Sequence, residues 1–243
     1  MPALPRAILF DLDDTIVSAY SRPELAWLTV TTELAETLAP LSPEEATKAV
    51  ADFALEFWSD ADRHKEHRQD LTAARRRIVA GALARLGAEG RQPFAADVAV
   101  RLADRFTAYR DEQMQLFEGA HETLDALKAR GVLLALVTNG AAEVQRGKVE
   151  RFELAHRFDH IQIEGEHGFG KPEDQAYLQA MQALGVAPHE TWMVGDNLES
   201  EVAAPQRLGI FAIWHDHIGD GLPVGAPAQP DRIIRRLSEL LDD

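Results

Sequence analysis

A short apolar segment near the start of the chain ends in a group of acidic residues. Residues 8–15 read ILFDLDDT, which brings the carboxylates of Asp11, Asp13 and Asp14 close together. Such carboxylates repel one another unless a cation or a bound proton relieves the repulsion. Magnesium is a suitable cation, because it prefers carboxylate oxygens and completes its octahedral shell with water and phosphate. Taken alone, the segment is also compatible with an acidic turn that has no catalytic role.

Three later segments add further polar groups that suit the chemistry of phosphate. Thr138 and Asn139 follow an apolar run and offer a hydroxyl and amides as donors to a phosphoryl oxygen. Lys171 lies in a loop ahead of a helical pattern, where it can neutralise anionic charge. Asp196 and Glu201 belong to an acidic group after another apolar run. Each segment alone is typical of an ordinary turn or a solvated side chain, so the interpretation depends on the whole set.

Alternating strand and helix patterns are expected to position these residues. Short continuous apolar runs suit strands that are buried on both faces of a parallel sheet. Between them lie the helical patterns His121–Arg130 and Gln175–Leu184, which stop at Gly131 and Gly185, where a helix C-cap favours a left-handed residue. This alternation predicts an α/β protein with a three-layer α/β/α, Rossmann-like core, in which polar groups gather at the carboxyl ends of the strands. The predicted strands are 7–10, 132–137, 160–163, 191–194 and 210–214.

A long segment without strand patterns interrupts this core. Residues 17–116 are rich in Ala, Leu, Glu and Arg with helical spacing, and Ser42-Pro43-Glu44-Glu45 reads as a helix N-terminus. We predict an inserted bundle of four or five helices over residues 17–116. The α/β core then comprises residues 1–16 and 117–243, and a last helix is predicted over Asp231–Leu241.

In this order, the segments resemble those of the haloacid dehalogenase superfamily. The resemblance covers the whole chain, and Asp-x-Asp-x-Thr is its most specific part. It implies a magnesium-dependent phosphohydrolase in which Asp11 attacks phosphorus and forms an aspartyl-phosphate. It implies that Asp13 is the general acid for the leaving group and then the base for water. Thr138 and Lys171 are implied to bind the phosphoryl group, and Leu12 and Asn139 to assist in substrate binding.

The resemblance also implies a metal site and a cap. Mg²⁺ would be held by an oxygen of Asp11, the backbone carbonyl of Asp13 and the carboxylate of Asp196. The last motif usually ends in a second aspartate, and here Glu201 holds that position, where its longer arm could orient a metal-bound water. The helical insertion is implied to be a cap that closes over the site and selects the substrate, with Trp58 as our preferred pocket residue.

Two further departures from the family pattern concern the segments around the site. Glu173-Asp174 follows Lys171-Pro172, where the family often has Asp-Pro. Pro205 lies where a helix after Asp196 would normally continue, and since it lacks a backbone N–H it should kink or end that helix.

Four functions are considered for a protein with this predicted fold. The first is a phosphatase for a small phosphorylated metabolite, which leaves sugar phosphates, nucleoside monophosphates and phosphoglycolate open. The second is a 2-haloacid dehalogenase, a branch that needs no magnesium and lacks an aspartate two residues after the nucleophile, so Asp13 and Asp196 count against it. The third is a phosphomutase, which only product analysis would separate. A non-catalytic binding protein is disfavoured because the whole set of reactive residues is retained.

The amino-acid composition limits which classes of binding partner and which cellular compartment are expected. The chain has 243 residues, no cysteine and a formal net charge of -15. The absence of cysteine excludes disulfides and thiolate metal sites and fits a reducing compartment. The acidic balance argues against nucleic-acid binding. The N-terminus does not read as a signal peptide and no apolar run is long enough to span a bilayer, so we expect a cytoplasmic protein without a membrane partner. The sequence does not indicate an oligomeric state.

Two other polar groups have both an ordinary and a functional reading. The basic residues of 63–68 and 75–77 suit a solvated helix face paired with nearby acids, or alternatively one or two of them bind an anionic part of the substrate. His215-Asp216-His217 could suggest a second metal site, but no further ligand is suitably spaced.

Overall fold

The computed structural model describes residues 4–19, 22–89 and 94–242. These residues fall into two compact units. Residues 4–19 and 115–242 form an α/β unit, and residues 22–114 without the gap at 90–93 form a helical unit.

The α/β unit is built on a parallel sheet. Its six strands are arranged in the order β5-β4-β1-β6-β7-β8, and every pairing between neighbours is parallel. A separate antiparallel pair, β2 and β3, lies where the chain leaves and re-enters this unit. The strands are β1 Ala7–Phe10, β2 Val17–Ser18, β3 Gln115–Leu116, β4 Leu133–Thr138, β5 His160–Ile163, β6 Thr191–Gly195, β7 Phe211–His215 and β8 Arg232–Ile234.

The helices are divided between the two units. In the helical unit they are α1 Pro23–Glu33, α2 Ala35–Leu38, α3 Pro43–Trp58, α4 Ala61–His67, α5 Leu71–Ala88 and α6 Ala96–Gln113. In the α/β unit they are α7 Ala120–Ala129, α8 Ala142–Arg151, α9 Glu164–His167, α10 Asp174–Leu184 and α11 Ala204–Arg207.

Burial explains why β1 lies at the centre of the sheet. All four residues of β1 are fully buried, as a continuous apolar run between two helical layers requires. β1 pairs with β4 on one side and with β6 on the other. The residues that follow these three strands therefore meet at one edge, and the predicted α/β fold with a parallel sheet is confirmed.

The predicted helix ends and strands agree with the structure to within about a residue, with one clear exception. The helix predicted over Asp231–Leu241 is wrong. Arg232–Ile234 instead forms β8, in register with β7, and a single 3₁₀ turn follows over Leu237–Leu241. Ile234 is buried, and its branched side chain suits a sheet position better than a helix.

The segment after β6 departs from a regular α-helix. A π-helical turn over Leu198–Ala203 precedes α11, and Pro205 lies in the first turn of that helix. Because proline lacks a backbone N–H, an unbroken α-helical hydrogen-bond ladder cannot run through this position.

The helical unit has its own core. Trp27 and Phe106 stack with a ring distance of 3.6 Å, among buried residues contributed by α1, α3, α5 and α6. The predicted N-terminus at Ser42 carries a capping box: the Ser42 hydroxyl accepts from the Glu45 N–H, and the Glu45 carboxylate accepts from the Ser42 N–H.

Across the described ranges, every helix is too short or too polar to cross a membrane.

Candidate active site

The carboxyl edge of the sheet brings the predicted residues of the α/β unit together. Asp11 directly follows β1, Thr138 ends β4, and Asp196 directly follows β6. The backbone N–H of Asp11 donates to the carbonyl of Val194 at 3.0 Å, which ties the tip of β1 to β6. Parallel pairing thus converts three distant stretches of sequence into neighbours.

Lys171 lies between two buried carboxylates. Its Nζ is 2.6 Å from Oδ1 of Asp11 and 2.9 Å from Oε1 of Glu201. Burial acts to lower the pKa of Lys171, but the two carboxylates outweigh it and hold that pKa above its ordinary value. Burial raises the pKa of Asp11, against the lowering effect of Lys171. One ammonium group therefore serves two acids.

The side chain of Asn139 holds the loop that carries Lys171. Its Nδ2 donates to the Lys171 carbonyl at 2.6 Å, and its Oδ1 accepts from the Lys171 N–H at 2.8 Å. The adjacent Gly170 is required by close packing, because a Cβ atom there would lie 2.5 Å from Oδ1 of Asn139. This side-chain amide therefore positions Lys171, and both its nitrogen and its oxygen are hydrogen-bonded to the Lys171 backbone.

Asp13 is held from a different direction, by two side chains of α8. Lys148 Nζ lies 2.6 Å and 2.7 Å from the two carboxylate oxygens of Asp13. Gln145 Nε2 lies 3.0 Å from Oδ2 of Asp13 and 2.6 Å from the hydroxyl of Thr138. Gln145 and Lys148 are both buried, at 2% and 6% exposure. Asp13 and Thr138 are thereby joined through one amide group.

Gln145 and Lys148 are not among the residues predicted from the sequence. A signal for them exists, since Gln145, Lys148 and Val149 share one face of α8 at helical spacing. All three are buried, so two long polar side chains occupy places where an apolar residue is expected. Polar residues on the buried face of a helix that follows Thr138 and Asn139 would have marked them as part of the site.

Glu164 is a further buried acid that the sequence analysis missed. Its Oε2 accepts from the N–H of Gly140 at 3.0 Å, so it supports the turn directly after Thr138 and Asn139. It is only 5% exposed and begins the short helix α9. Its place beside the site follows from pairing of β4 with β5, which no local pattern in the sequence reveals.

Acidic groups are crowded where β6 ends. Burial, with Glu201 and Asp11 as the next causes, raises the pKa of Asp196 well above its ordinary value. Burial likewise raises the pKa of Glu201 to about 7, against the effect of Lys171. The Glu201 carboxylate also accepts from the N–H of Asn197 at 2.6 Å. A Cβ atom on Gly195 would lie 2.1 Å from Cγ of Glu201, so only glycine allows this approach.

The donor set at this edge fits a hard divalent cation. Asp11, Asp196 and Glu201 supply carboxylate oxygens, and the Lys171 ammonium contacts two of these three acids. Burial is the main cause that raises the pKa values of all three, and repulsion from neighbouring carboxylates adds to it. Within residues 4–19, 22–89 and 94–242, no three His, Cys, Asp or Glu side chains form a preassembled metal cluster. Such a cluster is not required for Mg²⁺, which is usually bound through one or two carboxylates while keeping several waters.

The remaining predicted substrate-binding residues lie in different places. The Leu12 side chain is fully buried, and its carbonyl accepts from the N–H groups of Ile16 and Val17, both at 2.9 Å, so it shapes the turn after β1. Trp58 ends α3 in the helical unit, where its ring packs edge-on against Phe57 at 5.0 Å.

Several basic residues of the helical unit have partners within that unit. Arg76 forms a bidentate pair with Asp104, with both contacts at 2.7 Å. Arg77 lies 3.0 Å from the His67 ring nitrogen, and Arg63 lies over the ring of Phe57.

The residues His215, Asp216 and His217 pack against an aromatic ring and bond to a nearby loop. Burial lowers the pKa of His215 to about 4, with His217 as the next cause, so its ring is neutral near neutral pH. Phe117 packs against both imidazole rings, and Asp216 accepts from the N–H groups of Gly219 and Gly221 at 3.0 Å. Asp216 is therefore engaged in holding a loop.

A parallel sheet with acidic groups and two buried lysines at its carboxyl edge places the chain in the Rossmann-like α/β class. The model of the haloacid dehalogenase-like hydrolase family matches residues 5–209, and the chain belongs to this family.

Several similar proteins of known activity are phosphatases. Glyceraldehyde 3-phosphate phosphatase from Methanopyrus kandleri is 30% identical over 241 residues, covering 98% of this chain and 96% of that protein. Phosphoserine phosphatase from Thermus thermophilus is 39% identical over 140 residues, a match that spans 57% of this chain and 55% of that protein. The predicted family and the predicted phosphatase class of enzyme are confirmed.

Solved structures show the same fold. A HAD-hydrolase, YfnB from Bacillus subtilis, bound to magnesium, matches with a TM-score of 0.72 at 22% identity, over 98% of this chain and 97% of that chain. A HAD phosphatase from Thermococcus onnurineus matches with a TM-score of 0.63 at 25% identity, over 97% of this chain and 95% of that chain.

Proposed function

We propose that the chain is a magnesium-dependent phosphohydrolase that cleaves monoesters of a small phosphorylated metabolite through an aspartyl-phosphate on Asp11. The observation that carries this proposal is the pair Asp11 and Asp13 at the tip of β1, each in contact with its own buried lysine. Two neighbouring carboxyl groups in different surroundings can divide nucleophilic and acid–base work between them.

In the first step, an Asp11 oxygen attacks phosphorus while the bond from phosphorus to the leaving-group oxygen breaks. Asp13 enters this step protonated, with the proton that it took from water in the preceding turnover. It gives this proton to that oxygen, and the product alcohol departs. Lys171 and the hydroxyl of Thr138 receive the phosphoryl oxygens. Lys171 contacts Asp11, and Thr138 is joined to Asp13 through the Gln145 amide. Preorganised donors of this kind stabilise charge that develops in the transition state.

In the second step, water attacks phosphorus and Asp13 takes its proton. The bond between phosphorus and the Asp11 oxygen breaks, which releases inorganic phosphate and restores the Asp11 carboxylate. Dividing one difficult displacement into two easier ones is the general benefit of a covalent intermediate. The Asn139 side chain holds the Lys171 loop through both steps, which leaves the Asn139 backbone N–H to assist at the phosphoryl group.

Magnesium would be held by an oxygen of Asp11, the backbone carbonyl of Asp13 and the Asp196 carboxylate, with Glu201 acting on a metal-bound water. The ion supplies positive charge that offsets repulsion between the anionic phosphate and the anionic nucleophile. The charge surplus among Asp11, Asp196 and Glu201 supports this assignment. We assign the helical unit the part of a substrate-selecting cap, with Trp58 as a pocket residue.

The first test is hydrolysis of p-nitrophenyl phosphate with Mg²⁺ or with a chelator, followed by a panel of phosphorylated metabolites. We expect turnover with magnesium, loss of turnover with chelator, and inorganic phosphate as product. Recovery of an isomeric phosphate ester without free phosphate would indicate a mutase instead. Absence of turnover with every phosphate ester would contradict the proposal. The presence of Asp13 argues against a dehalogenase, because that branch does not keep an aspartate at this position.

A further inference from the structure

Two side chains of α8 contact the carboxylate of Asp13, the residue assigned to proton transfer. Gln145 and Lys148 lie three residues apart on this helix, and both reach the carboxylate of Asp13. Lys148 contacts both carboxylate oxygens, which fixes the rotation of the carboxyl group as well as its position. Gln145 adds a third contact, to one oxygen only.

Gln145 also fixes where Asp13 lies relative to the phosphoryl-binding hydroxyl. Its Nε2 is 2.6 Å from Oγ1 of Thr138 and 2.8 Å from the carbonyl of Asn139. These contacts attach the acid–base residue on the β1 loop to the end of β4. Any movement of Asp13 away from Thr138 must therefore break a buried hydrogen bond, which is costly.

Stability alone is a poor reason for this arrangement. Burying an ion pair often costs as much in desolvation as the pair returns, and apolar residues of similar size would serve the fold as well. Lys148 is 6% exposed and Gln145 is 2% exposed, on a helix face that Val149 shares. Two polar side chains on a buried face are better accounted for by what they hold.

We propose that Gln145 and Lys148 are positioning residues that hold the Asp13 carboxyl group beside Thr138, at the place where it meets the leaving-group oxygen and later the attacking water. This inference rests on the proposed function, because it assigns Asp13 to proton transfer. General acid catalysis needs the acid within hydrogen-bond reach of the departing oxygen, and a displacement of about 1 Å can cost 10²-fold in rate.

The test compares two aryl esters that differ in their need for an acid. p-Nitrophenolate departs readily without a proton, whereas phenolate depends on one. The ratio of kcat/KM for p-nitrophenyl phosphate to that for phenyl phosphate therefore reports help to the leaving group. The value of kcat/KM depends only on the steps up to the first irreversible one, which is release of the alcohol. The later hydrolysis of the aspartyl-phosphate therefore does not affect this ratio.

Asp13→Asn sets the reference, and we expect it to lose about 10²-fold or more with phenyl phosphate, the usual contribution of an acid–base group. Lys148→Met and Gln145→Leu should lose about 10-fold to 10²-fold with phenyl phosphate but only about threefold with p-nitrophenyl phosphate. Lys148→Arg, which can still contact both oxygens, should recover part of the ratio.

Arg146 offers a matched control on the same helix. It forms a bidentate pair with Glu166, at 2.6 Å and 2.7 Å, away from Asp13. Arg146→Met should leave both kcat/KM values unchanged, and thermal unfolding of every variant shows whether it is folded. If Lys148→Met does not fold, Gln145→Leu and Lys148→Arg carry the comparison.

Equal losses with both esters, or no loss in either variant, would overturn the positioning role while leaving the proposed function standing. Failure of the unmodified enzyme to hydrolyse either ester with Mg²⁺ would instead overturn the proposed function, and this inference with it.

Discussion

Among the carboxylates that follow β1, Asp11 and Asp13 differ in the charge of their surroundings. On the nucleophile side, which we define as Asp11, Lys171, Asp196 and Glu201, one ammonium contacts two acids and a third lies near. On the acid–base side, defined as Asp13, Gln145 and Lys148, one ammonium serves one carboxylate. The named residues of the nucleophile side carry three carboxyl groups and one ammonium, which leaves a surplus of negative charge. Burial, with neighbouring carboxylates as a further cause, raises the pKa values of Asp196 and Glu201. A divalent cation is therefore expected there, while the acid–base side is already balanced.

The largest difference between the two sides should appear on removal of the carboxylates themselves. Asp11→Asn should lower kcat by at least about 10³-fold, since no other group can take the place of the nucleophile. Its thermal stability should not fall, because the change removes one of several mutually repelling charges. Steady-state kinetics with p-nitrophenyl phosphate and thermal unfolding check both points. Asp13→Asn should affect this ester less, and retained turnover in Asp11→Asn would exclude the covalent mechanism.

Removal of each lysine should sharpen the contrast in stability. Lys171→Met leaves two buried carboxylates without their cation and should lower the free energy of unfolding by about 3–5 kcal/mol at neutral pH. Lys148→Met should cost less, because the side chain of Asp13 is 18% exposed and water can solvate it. Urea denaturation without metal measures both values. A larger loss for Lys148→Met would invalidate the proposed difference in charge.

The protein's stability should also depend on pH through Glu201, on the nucleophile side. Because the pKa of Glu201 is raised to about 7 in the folded state, the folded protein binds more protons than the unfolded chain between its ordinary pKa of 4.5 and 7. Stability from this group is thus fully present below pH 4.5 and lost as pH rises through 7, by up to about 3 kcal/mol.

Glu201→Gln provides the control for this titration. It should flatten the decline in stability between pH 5 and 8, as measured by urea denaturation, and saturating Mg²⁺ should flatten it in the unmodified protein. An identical decline in Glu201→Gln and the unmodified protein would show that another group is responsible.

The smallest effects should come from glycines on the two sides. Gly195→Ala places a methyl group against Glu201 and should cost about 1–3 kcal/mol, the usual penalty for overpacking. Gly147→Ala on α8 has no atom within 4 Å of the new methyl group and should stabilise the helix by about 0.5–1 kcal/mol. Thermal unfolding measures the stability of both variants. Similar stabilities for Gly195→Ala and Gly147→Ala would show that Glu201 moves aside without loss of stability.

The sheet could be predicted well from the sequence because its strands are buried on both faces. Continuous apolar runs such as residues 7–10 are typical of such strands, and the polar residues after them could be assigned to one edge of the sheet. Asp231–Leu241 was predicted wrongly because its apolar residues at 233, 234, 237, 240 and 241 repeat at helical spacing, which masks the preference of the two isoleucines for a strand. Only pairing with β7 decides between the two.

The site residues that the sequence did not reveal are those defined by tertiary contacts. Gln145, Lys148 and Glu164 lie outside the motifs. The spacing of Gln145 and Lys148 with Val149 puts them on one helix face, but the sequence alone does not show that this face is buried. Their burial depends on how α8 and α9 pack beside β4. The dual role of Lys171 between Asp11 and Glu201 likewise depends on distance in space, which motif spacing does not supply.

Trapping the intermediate tests the central claim most directly. Enzyme turning over p-nitrophenyl phosphate with Mg²⁺ is quenched in acid and treated with borohydride, which reduces an acyl phosphate to an alcohol and would convert Asp11 to homoserine. We predict this mass change in the peptide that contains Asp11, and its absence in Asp11→Asn and in enzyme without substrate. Full turnover with Asp11 unmodified, or with the change at another carboxylate, would contradict the account.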